Sequence, residues 1–152
     1  MAYVTREARE LLLETVGEAT DELGAALGAL GAAYEKLDEG NADRLEDELF
    51  RTVQTAYGRI QRTHAGFGER HGITTRAFSP SSPGSVTRAA RDLVEDAVEG
   101  VVEADNLLAD LQDSMMPVEV GDPELRAGLA EVRELIGGLG ERARRFLSTL
   151  GR

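Results

Sequence analysis

DPELRAGLAEVRELIGGLGERARRFLSTL, from Asp122 to Leu150, is the stretch on which the fold reading turns. Its apolar residues Leu125, Leu129, Val132, Ile136, Leu139, Ala143, Phe146 and Leu150 recur by fours and threes, which puts them on one face of a helix. Asp122 is placed to cap the helix, and Pro123 falls where an absent N–H costs nothing. Glu124 then meets the positive end of the helix dipole. The pattern predicts an amphipathic helix over 123–150.

Working outward, the same rhythm recurs three times. A first helix is expected over 5–37, with the stripe Leu12, Val16, Ala19, Leu23, Leu27, Leu30, Tyr34 and Leu37. A second is expected over 41–71, capped by Asn41 and stopped by Gly72, with the stripe Leu49, Val53, Ala56 or Tyr57, Ile60, His64, Phe67 and His71. A third is expected over 85–114, capped by Ser85, with the stripe Val86, Ala90, Leu93, Ala97, Val101, Ala104, Leu108 and Leu111. Helices of about 30 residues are each about 45 Å long. Equal rods with short connections predict an all-α, antiparallel up-and-down four-helix bundle in which residues 1–152 form a single domain. ITTRAFSPSSPG, residues 73–84, reads as a mobile Ser/Pro-rich loop. Within helix 1, GAALGALGAA (Gly24–Ala33) offers a surface of small residues for close approach. A neighbouring helix of the bundle, or self-association with a second subunit, would use it.

The chain carries 28 acidic and 17 basic residues, for a formal charge of -11, and no cysteine. A disulfide framework, a thiol nucleophile and thiolate metal sites are therefore excluded. The acidic balance disfavours general nucleic-acid binding, which needs a basic surface. No apolar run is long enough to cross a membrane, and MAYVTREARELLL lacks the apolar core of a signal peptide. The expectation is a cytoplasmic protein.

RIQRTHAGFGERHG, Arg59–Gly72, contains both histidines. In an up-and-down bundle this segment would share one end with Arg6, Arg9, Arg76, Arg88, Arg91, Arg142, Arg144, Arg145 and Arg152. Arginines near helix N-termini oppose the dipole, and an anion would resolve the conflict. The expected anion-binding residues are Arg59, Arg62 and Arg70, with Gly66 leaving room between Arg59 and Arg70. Along helix 3, Asp92, Asp96, Glu99, Glu103, Asn106, Asp110 and Asp113 flank the stripe, as if to pair with Arg126, Arg133 and Arg144 on helix 4 or to form an acidic groove.

Chemical motifs are sparse. No Glu stands three residues before a His, so the di-metal bundle signature is absent, and neither a metal nor a cofactor is expected. A single His with Glu10, Glu14 or Asp92 is the residual metal arrangement. Arg59-x4-His64 has the spacing of the HEPN ribonucleases, but Ile60 stands where that family usually has a polar residue, and the two side chains lie about 140° apart on a helix. Glu7, Glu10, Glu35 and Asp38 have the local spacing of the helical nucleotide pyrophosphohydrolases, but a continuous helix 1 holds the two pairs about 40 Å apart. The sequence thus points to a small interaction module with a basic, anion-attracting tip, a protein partner and no catalysis. The alternative is an enzyme acting on a phosphorylated or nucleotide substrate, with His64 or His71 carrying the proton.

Overall fold

The computed structural model describes residues 5–84 and 87–150. The protein is all-helical, at 81% helix, with no strand among the described residues. Helix α1 (Arg6–Glu35) is capped by the Thr5 hydroxyl, which accepts from the Ala8 amide, and it runs unbroken through its glycines. Asp38, not Asn41, caps α2 (Glu39–Leu45), by accepting from the Asn41 backbone and side-chain amides. A π-helical turn at Glu46–Phe50 joins α2 to α3 (Arg51–Arg70), making one long rod. The rod stops at Gly72, whose φ of 65° only glycine adopts freely.

The next helix, α4 (Ala90–Asp113), starts later than expected. The proposed cap Ser85 and the stripe residue Val86 lie outside the described residues, and residues 87–89 are not helical. A short α5 (Met116–Val120) follows Met115, a non-glycine residue at φ 64°. The fourth rod is two helices, α6 (Pro123–Ile136) and α7 (Leu139–Thr149), parted at Gly137 and Gly138. Two adjacent glycines each cost a helix about 1 kcal/mol relative to alanine, enough to interrupt it where packing tolerates a bend.

The apolar stripes are where the sequence puts them. Leu12, Leu23, Ile60, Phe67, Leu93, Leu108, Leu125, Leu129 and Phe146 are fully buried in one continuous cluster. Tyr34 is the exception, at 40% exposed. Helix α1 buries more than a stripe: Leu13, Gly17, Thr20, Gly24, Ala26, Ala29 and Ala33 are covered as well. It is packed from several sides, chiefly by α4 and α3.

The order of helix directions corrects the alternating connectivity expected from the sequence. Gly17 lies against His64 and Gly24 against Tyr57, so α3 runs antiparallel to α1. Gly128 lies against Thr63 and Asp122 binds Arg70, so α6 runs antiparallel to α3. Gly100 sits on Glu22 and Ala26, Glu103 faces Glu22, and Asp96 shares a groove with Ala29. That makes α4 antiparallel to α1 and parallel to α3. The order is up, down, down, up, and the chain must return along α1 between α3 and α4.

The return begins after Gly72, where the described residues 73–84 lie extended along α1 as a strap. Thr75 lies over Gly68 at the level of Leu13, and the Ser81 carbonyl lies on Gly28. From Leu13 to Gly28 a helix rises about 22 Å, and six extended residues span about 20 Å. The strap is therefore nearly taut, which suits its prolines. It is pinned midway, where Arg76 forms a bidentate pair with Asp21 (2.6 and 3.2 Å) and stacks 4.1 Å over the Phe78 ring.

At one end of the molecule, Asp122 locks α3 to α6. Its carboxylate is 5% exposed and accepts two bonds from Arg70 (2.9 Å each), one from the Leu125 amide (3.0 Å), and shares one with His71 Nε2 (2.9 Å). Burial pushes its pKa up, but the bonds from Arg70, Leu125 and His71 outweigh burial and leave it lowered.

Two predictions follow from this packing. Gly28→Ala should destabilise the protein by about 1–3 kcal/mol, because a methyl there overlaps the Ser81 carbonyl. Gly31→Ala, in the same helix with nothing within 4 Å, should stabilise it by about 0.5–1 kcal/mol. Urea unfolding of both variants checks the strap, since a loop free to move would make them behave alike. Asp122→Ala should cost about 2 kcal/mol by losing a cap and leaving Arg70 only its bond to Glu124, measured the same way.

Candidate functional site

The observed connectivity redistributes the charges. Arg88 and Arg91 start α4 at the end where α7 finishes, since Arg91 donates to the Leu147 and Leu150 carbonyls. Arg6 lies at the opposite end, donating to the Gly72 carbonyl. The arginines expected at one tip are divided between two.

The predicted anion site is also changed. Arg59 binds Glu131 and the Thr63 hydroxyl, while Arg70 binds Asp122 and Glu124. The space above Gly66 is taken by Arg70 Nη1 itself, 2.8 Å from where a Cβ would stand. Arg62 is exposed and joins neither. Two of the three residues are thus paired with carboxylates of α6 and its cap. His71 serves the Asp122 lock and packs against Phe67, 4.3 Å between ring centroids.

His64 has a different setting. It is 5% exposed, its ring meets Phe78 edge-on at 4.9 Å, and neither ring nitrogen has a hydrogen-bond partner among the described residues. It forms part of the wall of a groove of about 710 Å³ between α1 and the start of the strap. Leu13, Gly17 and Ile73 add apolar surface; Arg6, Glu10, Glu14, Glu18, Thr74, Thr75 and Arg76 add polar groups. His64 Nε2 and Arg76 Nη2 both lie over Gly17, each 3.5 Å from where a Cβ would stand, which is ordinary van der Waals contact. Burial, then the charge of Arg76, lower the His64 pKa, with Asp21 opposing. The imidazole is neutral at pH 7.

Along the rim, Glu10, Glu14 and Glu18 repeat every fourth residue of α1, and Asp21 follows. Both ends of this row hold a guanidinium: Arg6 pairs with Glu10 at 2.8 Å and Arg76 with Asp21 at 2.6 Å. Glu14 and Glu18, between them, have no cation among the described residues. Sequence reasoning placed His64 on the buried stripe and named Glu10 and Glu14 beside it. It counted Arg76 at the basic end without placing it beside His64, and it missed Glu18, because nothing local says that the strap lies on α1. Asp92 is not part of this groove, and among the described residues no group of three or more His, Asp or Glu is placed to hold a metal ion.

The small-residue surface of helix 1 is covered by the chain itself at Gly24 and Gly28 and open at Gly31. Gly24 receives the Tyr57 ring and Gly28 the Ser81 carbonyl, so the seam expected for self-association is filled at those positions. Of the expected pairings between α4 and the fourth rod, Arg133 does reach α4 but takes Asp105, which is outside the expected row. Asp96 takes Arg88, and Asp96, Glu99 and Glu103 line a groove with Glu22 of α1. Burial, then Glu103 and Asp21, raise the Glu22 pKa.

The chain matches no protein-family model, no curated protein and no solved structure. Among the described residues, no helix is long and apolar enough to cross a membrane.

His64 makes stability depend on pH. A histidine whose folded pKa is lowered lets the unfolded chain bind the proton first, so stability falls as pH drops below about 6.5 and until the folded pKa is reached. The urea midpoint should therefore fall between neutral pH and mildly acidic pH. In His64→Gln that part of the slope should disappear, while the loss at lower pH from protonating Asp122 remains.

Proposed function

We propose that the chain is a four-helix bundle of up-down-down-up order, and that it works as a non-enzymatic interaction module. Its recognition surface is the groove between α1 and the strap. The occupant is a cationic side chain, an arginine or lysine from a basic segment of a partner. The observation that carries this reading is the rim of α1, where four carboxylates form a row and guanidiniums of this same chain already fill the two ends. Glu14 and Glu18 offer the same chemistry in the middle. His64, buried and without a hydrogen-bond partner, presents a neutral ring whose nitrogen can accept from the incoming group. Leu13 and Ile73 supply apolar surface for the methylene stem. A net charge of -11 draws a basic partner from a distance.

A second reading, acid–base chemistry on an anionic substrate, draws on the neutral His64 between Arg6 and Arg76. Both guanidiniums are already committed to carboxylates, and no carboxylate holds His64 in one tautomer. Binding accounts for more of the groove.

The test is an amide and imidazole NMR titration with acetyl-Gly-Arg-Gly-amide, set against the same peptide with citrulline, which is neutral and nearly isosteric. The arginine peptide should shift Gly17 and the His64 ring saturably and more weakly as salt is added. Glu14→Gln or Glu18→Gln should each weaken it by about threefold. Equal response to citrulline, or shifts that spare Gly17 and His64, would reject the cation reading. Turnover of a phosphoester that His64→Gln abolishes would favour the enzyme.

A further inference from the structure

At the far end of the molecule from that groove, α7 and the start of the second rod enclose a recess of about 420 Å³ lined by Arg44, Glu48, Arg142, Arg145, Ser148 and Thr149. Three guanidiniums and one carboxylate share it, in a chain where acids outnumber bases by 28 to 17. Arg6, Arg59, Arg70, Arg76, Arg88 and Arg133 each find an acid elsewhere in the fold. Arg142 and Arg145 find none among the described residues, although both stand one turn or less from α7 positions that pack on the rest of the fold. Arg126 also lacks an acid, but no second cation shares its recess, whose other walls are Gln112, Pro117, Val118 and Leu129.

Arg44 is held in place before any ligand arrives. Its Nη1 donates to the Thr149 hydroxyl at 2.8 Å and to Asn41 Oδ1 at 3.3 Å, and its guanidinium lies 5.2 Å over the Phe146 ring. Its contact with Glu48, 3.5 Å, is the longest of these hydrogen bonds. Thr149 in turn donates to the Phe146 carbonyl at 2.9 Å, so its hydroxyl is oriented to receive Arg44. A stacked, fixed guanidinium loses little freedom on meeting a ligand. Arg142 and Arg145, three residues apart on α7, stand on adjacent positions of one helix face.

We propose that this recess binds a tetrahedral oxyanion, the phosphate of a phosphomonoester or free phosphate, with Arg142 and Arg145 as its principal ligands and Arg44 as the preset third. Two unpaired guanidiniums offer forked donors that match phosphate oxygens, and the opposing Glu48 restricts binding to the side away from it. The site is independent of the groove at His64. It retains the anion attraction expected from the sequence and moves it from Arg59, Arg62 and Arg70 to the opposite end.

The experiment is a titration of inorganic phosphate and of phenyl phosphate at fixed ionic strength, with chloride as the matched control, following arginine Nε–Hε and backbone amide shifts. Saturable shifts should centre on Arg142, Arg145 and Thr149. Arg142→Gln with Arg145→Gln should weaken them by about tenfold while Arg62→Gln leaves them unchanged. Arg142→Lys should recover only part, since it keeps charge and loses the fork. A stronger response to phenyl phosphate identifies the monoester as the source, and an equal one identifies free phosphate. The proposal is overturned if chloride gives the same shifts, if the double variant still binds while remaining helical by circular dichroism, or if the shifts fall at Arg59 and Arg70.

Discussion

Everything in this molecule depends on a strap lying flat on a helix. The rods before and after the strap point the same way, and the described residues 73–84 travel back along α1 without helix to shorten their path. Six residues between Thr75 and Ser81 cover what takes α1 fifteen, and there is no slack for a bulge. The strap can lie that close because Gly28 offers no side chain to the Ser81 carbonyl and Gly68 none to Thr75. Each glycine weakens its helix by about 1 kcal/mol. The packing it admits is what allows α3 and α4 to run parallel, and the parallel pair decides which charges meet at each end.

The lock at Asp122 and the strap divide the work between them. Asp122 sets the register of α6 on α3 by gathering Arg70, His71 and the Leu125 amide of α6 onto one buried carboxylate. It is both an N-cap and an ion pair, so its desolvation is met by four donors. The strap sets α4 on α1. With those two pairings fixed, Arg91 reaches the last carbonyls of α7 and complements the negative end of that helix. Arg88 and Arg91, which looked misplaced near a helix N-terminus in the sequence, have partners once directions are known: Asp96 for one and the α7 carbonyls for the other.

That contrast shows what the sequence carried. The stripes Leu125 to Phe146 and Leu93 to Leu111 were legible because burial of one face imposes a period of 3.6, and the period survives in the residues. Caps at Asp122–Pro123 and the stop at Gly72 were legible because they act locally. Direction was not. A stripe reads the same whether its helix points up or down, and the deciding signal was the length and proline content of 73–84, which suits a free loop as well as a taut one. The site inherits this split. His64 could be placed on the buried face from spacing alone. Its neighbours Gly17, Arg76 and Phe78 could not, since they meet it only if the strap crosses α1. The division at Gly137–Gly138 had a local signal that the strong stripe around it overrode.

The acid row on α1 gives the remaining link from sequence to activity. Glu10, Glu14 and Glu18 stand four residues apart with Asp21 following, and like charges at the four-residue spacing destabilise a helix by about 0.2–0.5 kcal/mol for each pair. A surface kept acidic only for solubility could scatter those charges around the helix at no such cost. Here they are aligned beside a groove, and the fold relieves the row only where it supplies Arg6 and Arg76. The repulsion between Glu14 and Glu18 is left in place, next to apolar surface and an imidazole with no hydrogen bond. A cation entering there gains its own pairing and removes that repulsion as well, so part of the binding free energy is already stored in the free protein. Arg76 also limits what can enter. Its guanidinium is stacked on Phe78 and held by Asp21, so a ligand with a second negative group would meet carboxylates first and find that cation engaged. The groove therefore selects for positive charge by repulsion as much as by attraction, which is how a shallow polar site discriminates among partners.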